Sequence, residues 1–538
     1  MFSSKGLRLS SVKSTLNTNR AGLICVALAV LSKCLIAWIY SNLDGDKSLY
    51  LLLADSFRQT GILSEPVSLL ENGVTRQVYN PAIHSPLYSL LAAPLLWLTS
   101  SYFITQLLLS FAGWILFFTA LYKVAAIVFA TPWLTNLFIL CTGFFLYPHE
   151  LDAGPKDTLA AAFTLWSIYF AYHFIKRQGP FATTLLLAIS ISCLCLIKLL
   201  YAPLAGIFLF ALLVWIIKKR SKEHWLQFAY LLVLLSVTAV SIYYLILIPS
   251  KQLPTFHASL APHDGTVNIR GFYPQNLLST YPFISSSFIN TNFWGVQLET
   301  IFGVPFPKIM VAFRITDVLL FAVLVAALLR NRKRPIRKII YIIMAAAIGL
   351  ASVVFFLSLI YQSFAYKSST DLWTYVGDAR SFLIPIIALQ FALFLFVFKW
   401  GGSKIIRLAF FLLFLFECFH GFYFTVKQTA NVKEIRNVNQ VNSPEKRITE
   451  RLARLNETDS NWMLVTTGNA LRRYALVNAQ TAYTFTGQPS SLSWLKKGSH
   501  LLIATHLQDS AVLKIFPAQR LTLVDTVRPF ILHSYTAE

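Results

Sequence analysis

Two short polar segments carry carboxylates directly beside apolar runs that are long enough to cross a membrane. The first holds Asp44 and Asp46, a few residues after the apolar run 21–40. The second holds three acids within eight residues, and Asp152 and Asp157 are two of them. A carboxylate at the boundary between lipid and water can act as a general base toward a hydroxyl group. Because Asp46 and Asp157 also stand where helices are predicted to begin, helix capping is the competing interpretation for both.

Single cations lie at the ends of other apolar runs. Lys198 ends one run and Arg380 precedes another. Arg can hold a phosphate through two parallel hydrogen bonds, whereas Lys acts as a point charge. The two side chains therefore either neutralise a phosphate group or extend to the interface as ordinary snorkelling residues. Lys33, which lies inside the first run, is predicted to snorkel.

The acids need rigid elements to hold them, and the first polar loop contains two predicted helices. Leu49, Leu53 and Phe57 recur at four-residue steps, which indicates an amphipathic helix that begins near Asp46 and lies on the membrane surface. The apolar stretch Ser85–Thr99 is short and holds two prolines. It therefore predicts a second surface helix on the outer face, not a membrane crossing.

Composition decides what kind of protein holds these segments. The chain has 538 residues, of which 56% are hydrophobic and 13% are charged, and its mean hydropathy is +0.60. Soluble domains carry about 25% charged residues, so a string of soluble domains, a disordered chain and a coiled coil are excluded. Six cysteines are too few for a disulfide scaffold. The net charge of +23 arises between the apolar runs, so it predicts membrane topology and no binding of nucleic acid.

Hydropathy predicts eleven membrane-spanning helices within residues 1–426. The N-terminal segment and the short segments between alternate runs together hold 20 basic residues against one acid. This places the N-terminus on the inner side and the C-terminus on the outer side. The large outer segments are then 41–101, 249–308 and 427–538. The predicted spans lie near 21–40, 102–122, 124–147, 158–175, 181–199, 201–217, 225–248, 309–329, 339–361, 381–398 and 405–426.

Residues 427–538 have the pattern of a small soluble α/β domain. Helical spacing covers Glu445–Leu455 and Asn469–Val477. Short apolar strands are predicted at Trp462–Val465, Leu501–Ala504 and Leu521–Val524. The domain is predicted either to cover the site and bind an acceptor or to serve as a structural cap.

Two further pairs of polar residues lie inside apolar runs. Arg314 with Asp317, and Glu417 with His420, each stand three residues apart and can meet on one helix face. We expect a structural ion pair from the first. For the second we expect buried polar packing, with a proton relay as the alternative.

The order of these pieces resembles the GT-C superfamily of lipid-phosphate-dependent glycosyltransferases, and within it the protein O-mannosyltransferases and lipid A aminoarabinose transferases. The resemblance covers the front half of the chain and one later loop. It implies a GT-C-like, polytopic α-helical fold in a bacterial inner membrane. The matching segments are Asp46–Ala54, Pro86–Tyr88, Lys156–Leu159, Ile197–Lys198 with Pro203, and Arg380–Pro385.

The resemblance also implies an inverting transfer of a sugar from a polyprenyl-phosphate donor to a hydroxyl of a glycan, lipid or protein acceptor at the outer face. Asp46 is then the candidate base, with Asp44 as second choice. Asp157 matches the acid of the second loop, with Asp152 as its alternative.

The same resemblance implies a set of residues that bind substrate. Lys198 and Arg380 would stabilise the leaving phosphate, where negative charge develops. Tyr50, His84 and Tyr88 would contact the substrates from the first outer loop.

Two departures from the family pattern leave the sugar and the base open. Lys47 follows Asp46 where most relatives have a second acid, and Ser381 with Phe382 follows the arginine where relatives often have Tyr. Some relatives need a divalent metal and others do not. A metal held by the oxygens of Asp44 and Asp46 is therefore an open alternative, and no cofactor is certain.

Two other functions compete with glycosyl transfer. An O-antigen ligase or polymerase would rely on Arg and His in the outer loop 249–308, which offers His257, His263 and Arg270. A transporter or flippase for a lipid-linked substrate would show internal repeats and charges near mid-membrane. The sequence shows no convincing repeat, and its acids cluster at the predicted outer face.

Overall fold

The structure of the protein is a computed structural model in which most of the chain is described. The described residues are 20–41, 43, 46–71, 74–81, 86–147, 155–197, 201–249, 281–330, 343, 349, 382–399, 404–433, 444–459, 462–466, 469–478, 480, 482–484, 498–506, 521–527 and 530–536. Two compact units divide the chain. The helical unit comprises Met1–Ala37, Ser110–Ser236 and Leu260–Lys427, and the sheet unit comprises Trp38–Leu109, Val237–Ser259 and Gln428–Glu538.

Helices dominate the described residues. In chain order they are α1 (Arg20–Ile39), α2 (Asp46–Thr60), α3 (Leu87–Thr99), α4 (Tyr102–Phe129), α5 (Pro132–Phe144), α6 (Pro155–Lys176), α7 (Pro180–Ile197), α8 (Ala202–Lys219), α9 (Lys222–Ile242), α10 (Thr291–Phe302), α11 (Phe306–Arg330), α12 (Leu383–Lys399), α13 (Lys404–Ala430), α14 (Pro444–Thr458) and α15 (Asn469–Val477).

Seven of the described helices are long and apolar enough to cross a membrane. They begin at Arg20, Tyr102, Lys156, Pro180, Ala202, Lys222 and Arg407. The predicted class is confirmed: the protein is a polytopic α-helical membrane protein with a small C-terminal sheet. The predicted span near 339–361 falls almost wholly outside the described residues, and α12 has 17 residues.

The boundary between the second and third predicted spans is wrong. Helix α4 continues through Lys123 to Phe129, so Lys123 does not lie in a loop. The break comes at Ala130, in a left-handed conformation with φ 54°, and at Thr131, which is extended. Pro132 disfavours a helical conformation at the residue before it and is itself well suited to begin a helix. Helix α5 consequently has only 13 residues.

Apolar packing holds the helical unit together in two places. Helices α6 to α9 share a core around Phe174, Leu187, Ile191 and Ile216. Phenylalanine rings join α4, α5 and α12, and the ring centroids of Phe138 and Phe391 are 4.5 Å apart. Helices without a hydrophobic driving force between them depend on such close van der Waals contact in a membrane.

A seven-stranded sheet forms the centre of the sheet unit, in the order β2-β1-β4-β3-β5-β7-β6. Its strands are β1 (Ser64–Glu71), β2 (Val74–Pro81), β3 (Trp462–Thr466), β4 (Ala482–Thr484), β5 (His500–His506), β6 (Thr522–Val527) and β7 (Phe530–Thr536). Four neighbouring strands, β1, β4, β3 and β5, are parallel, and β2, β7 and β6 pair antiparallel at the two ends. Helices α14 and α15 bury Ile448, Leu452 and Leu471 against it.

The predicted α/β character of the C-terminal region is confirmed, but the sheet is larger than predicted. The hairpin of β1 and β2 comes from the first polar loop, and β1 pairs with β4 at Leu69 and Thr484. A membrane-proximal loop and the C-terminal region therefore build one sheet.

Candidate functional site

Helix α2 places the candidate base at a helix N-terminus. Asp46 is its first residue. The helix packs on α3, β1 and α15 within the sheet unit. Every residue from Lys47 to Ala54 is buried, so the first two turns are covered on all sides. The predicted helix is confirmed, and its burial goes beyond the single apolar face that the leucine spacing predicts.

Tyr50 and Tyr88 meet in this unit. Tyr50 lies one turn after Asp46, and its ring centroid is 5.3 Å from that of Tyr88 on α3. The Ser89 hydroxyl donates a 3.0 Å hydrogen bond to the Tyr50 carbonyl oxygen, which fixes the two helices together. Two of the predicted substrate-binding residues are therefore neighbours, one on the helix that carries the candidate base and one on α3.

The Tyr88 hydroxyl is a buried polar group without a hydrogen-bond partner among the described residues. Tyr88 is 0% exposed, and within the described part of the chain its hydroxyl has no hydrogen-bond partner. Burial raises the pKa of this phenol above its ordinary value. A buried hydroxyl without a partner costs about 1–3 kcal/mol, so it is available to donate to a bound ligand.

The second half of α2 is held by polar contacts that do not involve the candidate base. Asp55 forms an ion pair with Arg58 at 2.7 Å and accepts a 3.0 Å hydrogen bond from the Tyr102 hydroxyl. The Ser56 hydroxyl donates to the Ile62 carbonyl oxygen at 3.1 Å. These contacts fix the end of the helix and make Asp55 a matched reference for Asp46.

Asp157 lies in the first turn of α6, in the helical unit. It is 4% exposed, and its neighbours Lys156 and Thr158 are also buried. A carboxylate in a first turn is stabilised by the helix dipole. The burial therefore fits both the predicted capping role and a role in the site.

Five of the predicted site residues lie outside the described residues. They are Asp44, His84, Asp152, Lys198 and Arg380. The three loop residues of the ligase alternative, His257, His263 and Arg270, also lie outside them. Within the described residues no cluster of three or more His, Cys, Asp or Glu side chains could hold a metal ion.

The prediction that Lys33 snorkels is wrong. Lys33 is 1% exposed, and its ammonium group donates to the Phe145 carbonyl oxygen inside the helical unit. Its Nζ atom lies 5.0 Å from the ring centroid of Tyr147 and 5.7 Å from that of Trp114. A charge within an apolar run was the only sequence signal, because the direction of the side chain depends on which helices surround α1.

The two buried pairs behave as predicted. Arg314 and Asp317 form an ion pair at 3.3 Å, and Asp317 also accepts hydrogen bonds from the backbone nitrogens of Ile284 and Ser285. Glu417 accepts a 2.9 Å hydrogen bond from the Trp294 indole, and lies 3.2 Å from the His420 ring nitrogen.

The fold and these sites define a multi-pass membrane protein whose first polar loop joins a C-terminal α/β sheet. No protein-family model matches the chain, and no curated protein sequence matches it. Two solved structures are similar in fold. The crystal structure of ArnT from Cupriavidus metallidurans in the apo state is 13% identical, with 95% of this chain and 97% of that chain covered and a TM-score of 0.46.

The second is the crystal structure of ArnT from Cupriavidus metallidurans bound to undecaprenyl phosphate. It is 14% identical over the same shares of the two chains, also with a TM-score of 0.46.

Proposed function

We propose that this protein is an inverting glycosyltransferase that moves a sugar from a polyprenyl-phosphate donor to an acceptor hydroxyl at the outer face of a bacterial inner membrane. The observation that carries the proposal is Asp46 as the first residue of α2, a helix whose first two turns are buried. A base must be held rigidly within hydrogen-bond reach of the acceptor, and a buried helix does this better than a free loop.

The reaction exchanges one bond at the anomeric carbon for another. Asp46 takes the proton of the acceptor hydroxyl as that oxygen attacks the anomeric carbon from the face opposite the phosphate. The new carbon–oxygen bond forms while the bond to the phosphate oxygen breaks. Polyprenyl phosphate leaves with the electron pair, and the configuration of the sugar inverts.

The helix N-terminus suits this role of Asp46. A general base has to be ionised at neutral pH, and the partial positive charge at the start of a helix favours the carboxylate. Tyr50 on α2 and Tyr88 on α3 support the proposal because their rings contact each other one turn after Asp46, and the buried Tyr88 hydroxyl is a donor suited to a sugar or phosphate oxygen. Asp44 remains the second choice for the base.

Fixed cations are assigned to the leaving group. Lys198 and Arg380 would neutralise the charge that develops on the departing phosphate. Asp157, or Asp152 in its place, would act from the second loop as the partner acid.

The region 427–538, with the hairpin of β1 and β2, is proposed to hold the acceptor. What supports this is the single sheet that these segments build and the packing of α15 on α2. A change in the acceptor-binding sheet would thus reach the helix that carries the base directly.

The test is release of polyprenyl phosphate by the purified full-length protein from a panel of polyprenyl-phosphate sugars, with a panel of acceptors. Asp46→Asn is the decisive variant, since it keeps the shape of the side chain and removes its basicity. Asp55→Asn is the matched control, because it changes the same residue type on the same helix, where the carboxylate is engaged with Arg58 and Tyr102.

We expect release by the wild type and by Asp55→Asn, and a loss of at least about 100-fold in Asp46→Asn, the scale of general base catalysis. Turnover in Asp46→Asn equal to that of the wild type would reject Asp46 as the base. Donor binding without release of polyprenyl phosphate from any donor would favour the transporter or ligase alternative.

A further inference from the structure

Two basic turns of the chain meet at one end of the helical unit, one between α6 and α7 and the other between α8 and α9. Together they hold six cations, which are Lys176, Arg177, Lys218, Lys219, Arg220 and Lys222. The only acid in residues 176–180 and 218–224 is Glu223, and it forms an ion pair with Arg177. Because this pair joins the two turns, the six cations lie on one surface, which we call the basic corner.

Uncharged contacts fix the same corner from below. Gln227, on α9, donates from its amide nitrogen to the Thr184 hydroxyl oxygen at 3.0 Å and to the Pro180 carbonyl oxygen at 3.3 Å, both on α7. The ring of Phe181 stacks on that of Tyr230, with their centroids 5.1 Å apart. The first turns of α7 and α9 are therefore held side by side, and the basic turns that precede them form one prearranged surface.

His224 is an unsatisfied polar group within the basic corner. It lies in the first turn of α9 and is only 7% exposed, and neither of its ring nitrogens has a hydrogen-bond partner in the described part of the chain. Its ring contacts the indole of Trp215, at the end of α8, with 4.9 Å between the centroids. At least one imidazole nitrogen always carries a proton, so a buried donor without an acceptor lies beside the cations. An oxygen of an anion would satisfy it.

The apolar surface beside the cations indicates which kind of anion fits. Phe181, Trp225 and Leu226 are exposed on the first turns of α7 and α9. Tryptophan is enriched at the depth of lipid headgroups, and basic clusters at the ends of membrane helices attract anionic lipids. A soluble phosphate would gain nothing from these apolar side chains, whereas a phospholipid contacts them with its acyl chains while its phosphate meets the cations.

We propose that the basic corner binds the headgroup of an anionic glycerophospholipid. The lysine ammonium groups and Arg220 neutralise the phosphate, and His224 donates a hydrogen bond to one of its oxygens. The ring nitrogens are covered in the structure, so the ring turns away from Trp215 as the headgroup enters. The site is independent of the proposed glycosyl transfer, and it lies on the membrane face that the positive charges predict to be the inner one.

The test measures the affinity of the purified full-length protein for phosphatidylglycerol by native mass spectrometry. Phosphatidylethanolamine with the same acyl chains is the zwitterionic comparison, and glycerol phosphate is the soluble headgroup without acyl chains. His224→Phe keeps an aromatic ring against Trp215 and removes both nitrogens. Its matched control is His173→Phe, at the end of α6, because a ring nitrogen of His173 is already hydrogen-bonded to Gln178.

A second variant tests the cations with exposed side chains only, so that folding is not at risk. Lys219→Gln combined with Lys222→Gln removes two charges from the basic corner. Lys308→Gln combined with Lys427→Gln removes the same charge from two exposed positions elsewhere in the helical unit.

We expect the wild type to bind phosphatidylglycerol at least about 10-fold more tightly than phosphatidylethanolamine. The Lys219 and Lys222 variant should lose roughly 25-fold in affinity for phosphatidylglycerol, or about 5-fold for each charge. His224→Phe should lose about 10-fold, the scale of one hydrogen bond to a charged group, without a lower unfolding midpoint in the absence of added lipid. Both controls should bind as the wild type does.

Three results would overturn the proposal. One is equal affinity of the wild type for the two phospholipids, and another is an equal loss of affinity in the control variants. Competition by glycerol phosphate at the same concentration as phosphatidylglycerol would show a phosphate site that does not select a lipid. Weaker binding in the lysine variant with wild-type affinity in His224→Phe would reject the role of His224 and leave a charged surface alone.

Discussion

Asp317→Asn should destabilise the contact between α11 and the turn that precedes α10. The Asp317 carboxylate accepts hydrogen bonds from the backbone nitrogens of Ser285, at 2.6 Å, and Ile284, at 3.2 Å. It also pairs with Arg314 at 3.3 Å and is only 1% exposed. One buried side chain on α11 therefore anchors the start of the segment that leads to α10.

The magnitude follows from these contacts. Hydrogen bonds to a charged group contribute about 1.5–3 kcal/mol each. An asparagine can still accept one of them through its amide oxygen, but its NH₂ group would face donors. Removing one partner of a buried ion pair costs about 3–5 kcal/mol, and the loss in Asp317→Asn should be of this size.

Thermal unfolding of the purified protein in detergent measures this effect. Thr316→Ala, at the preceding position of α11, is the control, because its exposed hydroxyl only donates to the Ala312 carbonyl oxygen of its own helix. We expect a clear fall in the unfolding midpoint for Asp317→Asn and almost none for Thr316→Ala. Equal midpoints for Asp317→Asn and the wild type would refute the anchoring role.

Three other changes test separate parts of the structure. Gly421→Ala should destabilise by about 1–3 kcal/mol, because a Cβ there would overlap the Phe144 carbonyl oxygen; an unfolding midpoint at or above that of the wild type would contradict this close approach. Tyr88→Phe should raise the unfolding midpoint, since its buried hydroxyl has no partner within the described residues and costs stability, and it should also raise the donor KM; a stability loss with unchanged KM would speak against substrate contact. His533→Gln should reduce the loss of stability in acid. Burial lowers the pKa of His533 below 6.5, so the unfolded chain binds the proton at a higher pH than the folded protein does. The free energy of unfolding therefore decreases as the pH falls below about 6.5. Unfolding midpoints at pH 8 and pH 5.5 for both proteins measure this, and an equal acid shift in the two would contradict it.

Local pattern was sufficient for most elements but not for their ends. The amphipathic spacing in Glu445–Leu455 predicts α14, and the prediction for Asn469–Val477 matches α15 residue for residue. The break at Ala130 was missed because apolar residues continue across it, and only Pro132 marked the true boundary. Hydropathy reports whether a segment prefers lipid or water, and it gives little information about the residue at which a helix ends.

Pairing between distant segments could not be predicted at all. The sequence of the hairpin Ser64–Pro81 has the pattern of a polar loop, and β4 has only three residues. Neither sequence pattern identifies the strand with which it pairs, because strand pairing depends on side chains and backbone groups that are distant in the chain. Only the folded sheet brings Leu69 beside Thr484.

The sequence by itself determined that this is a polytopic membrane protein with an α/β region at its C-terminus, because hydropathy and charge act locally and each residue contributes its preference separately. It also singled out Asp46 and Asp157 as helix-initiating acids. The tertiary structure alone decided that α2 is buried all round and that Lys33 points inward to Phe145. Burial and direction depend on which helices surround a residue, and that is a property of the packed chain.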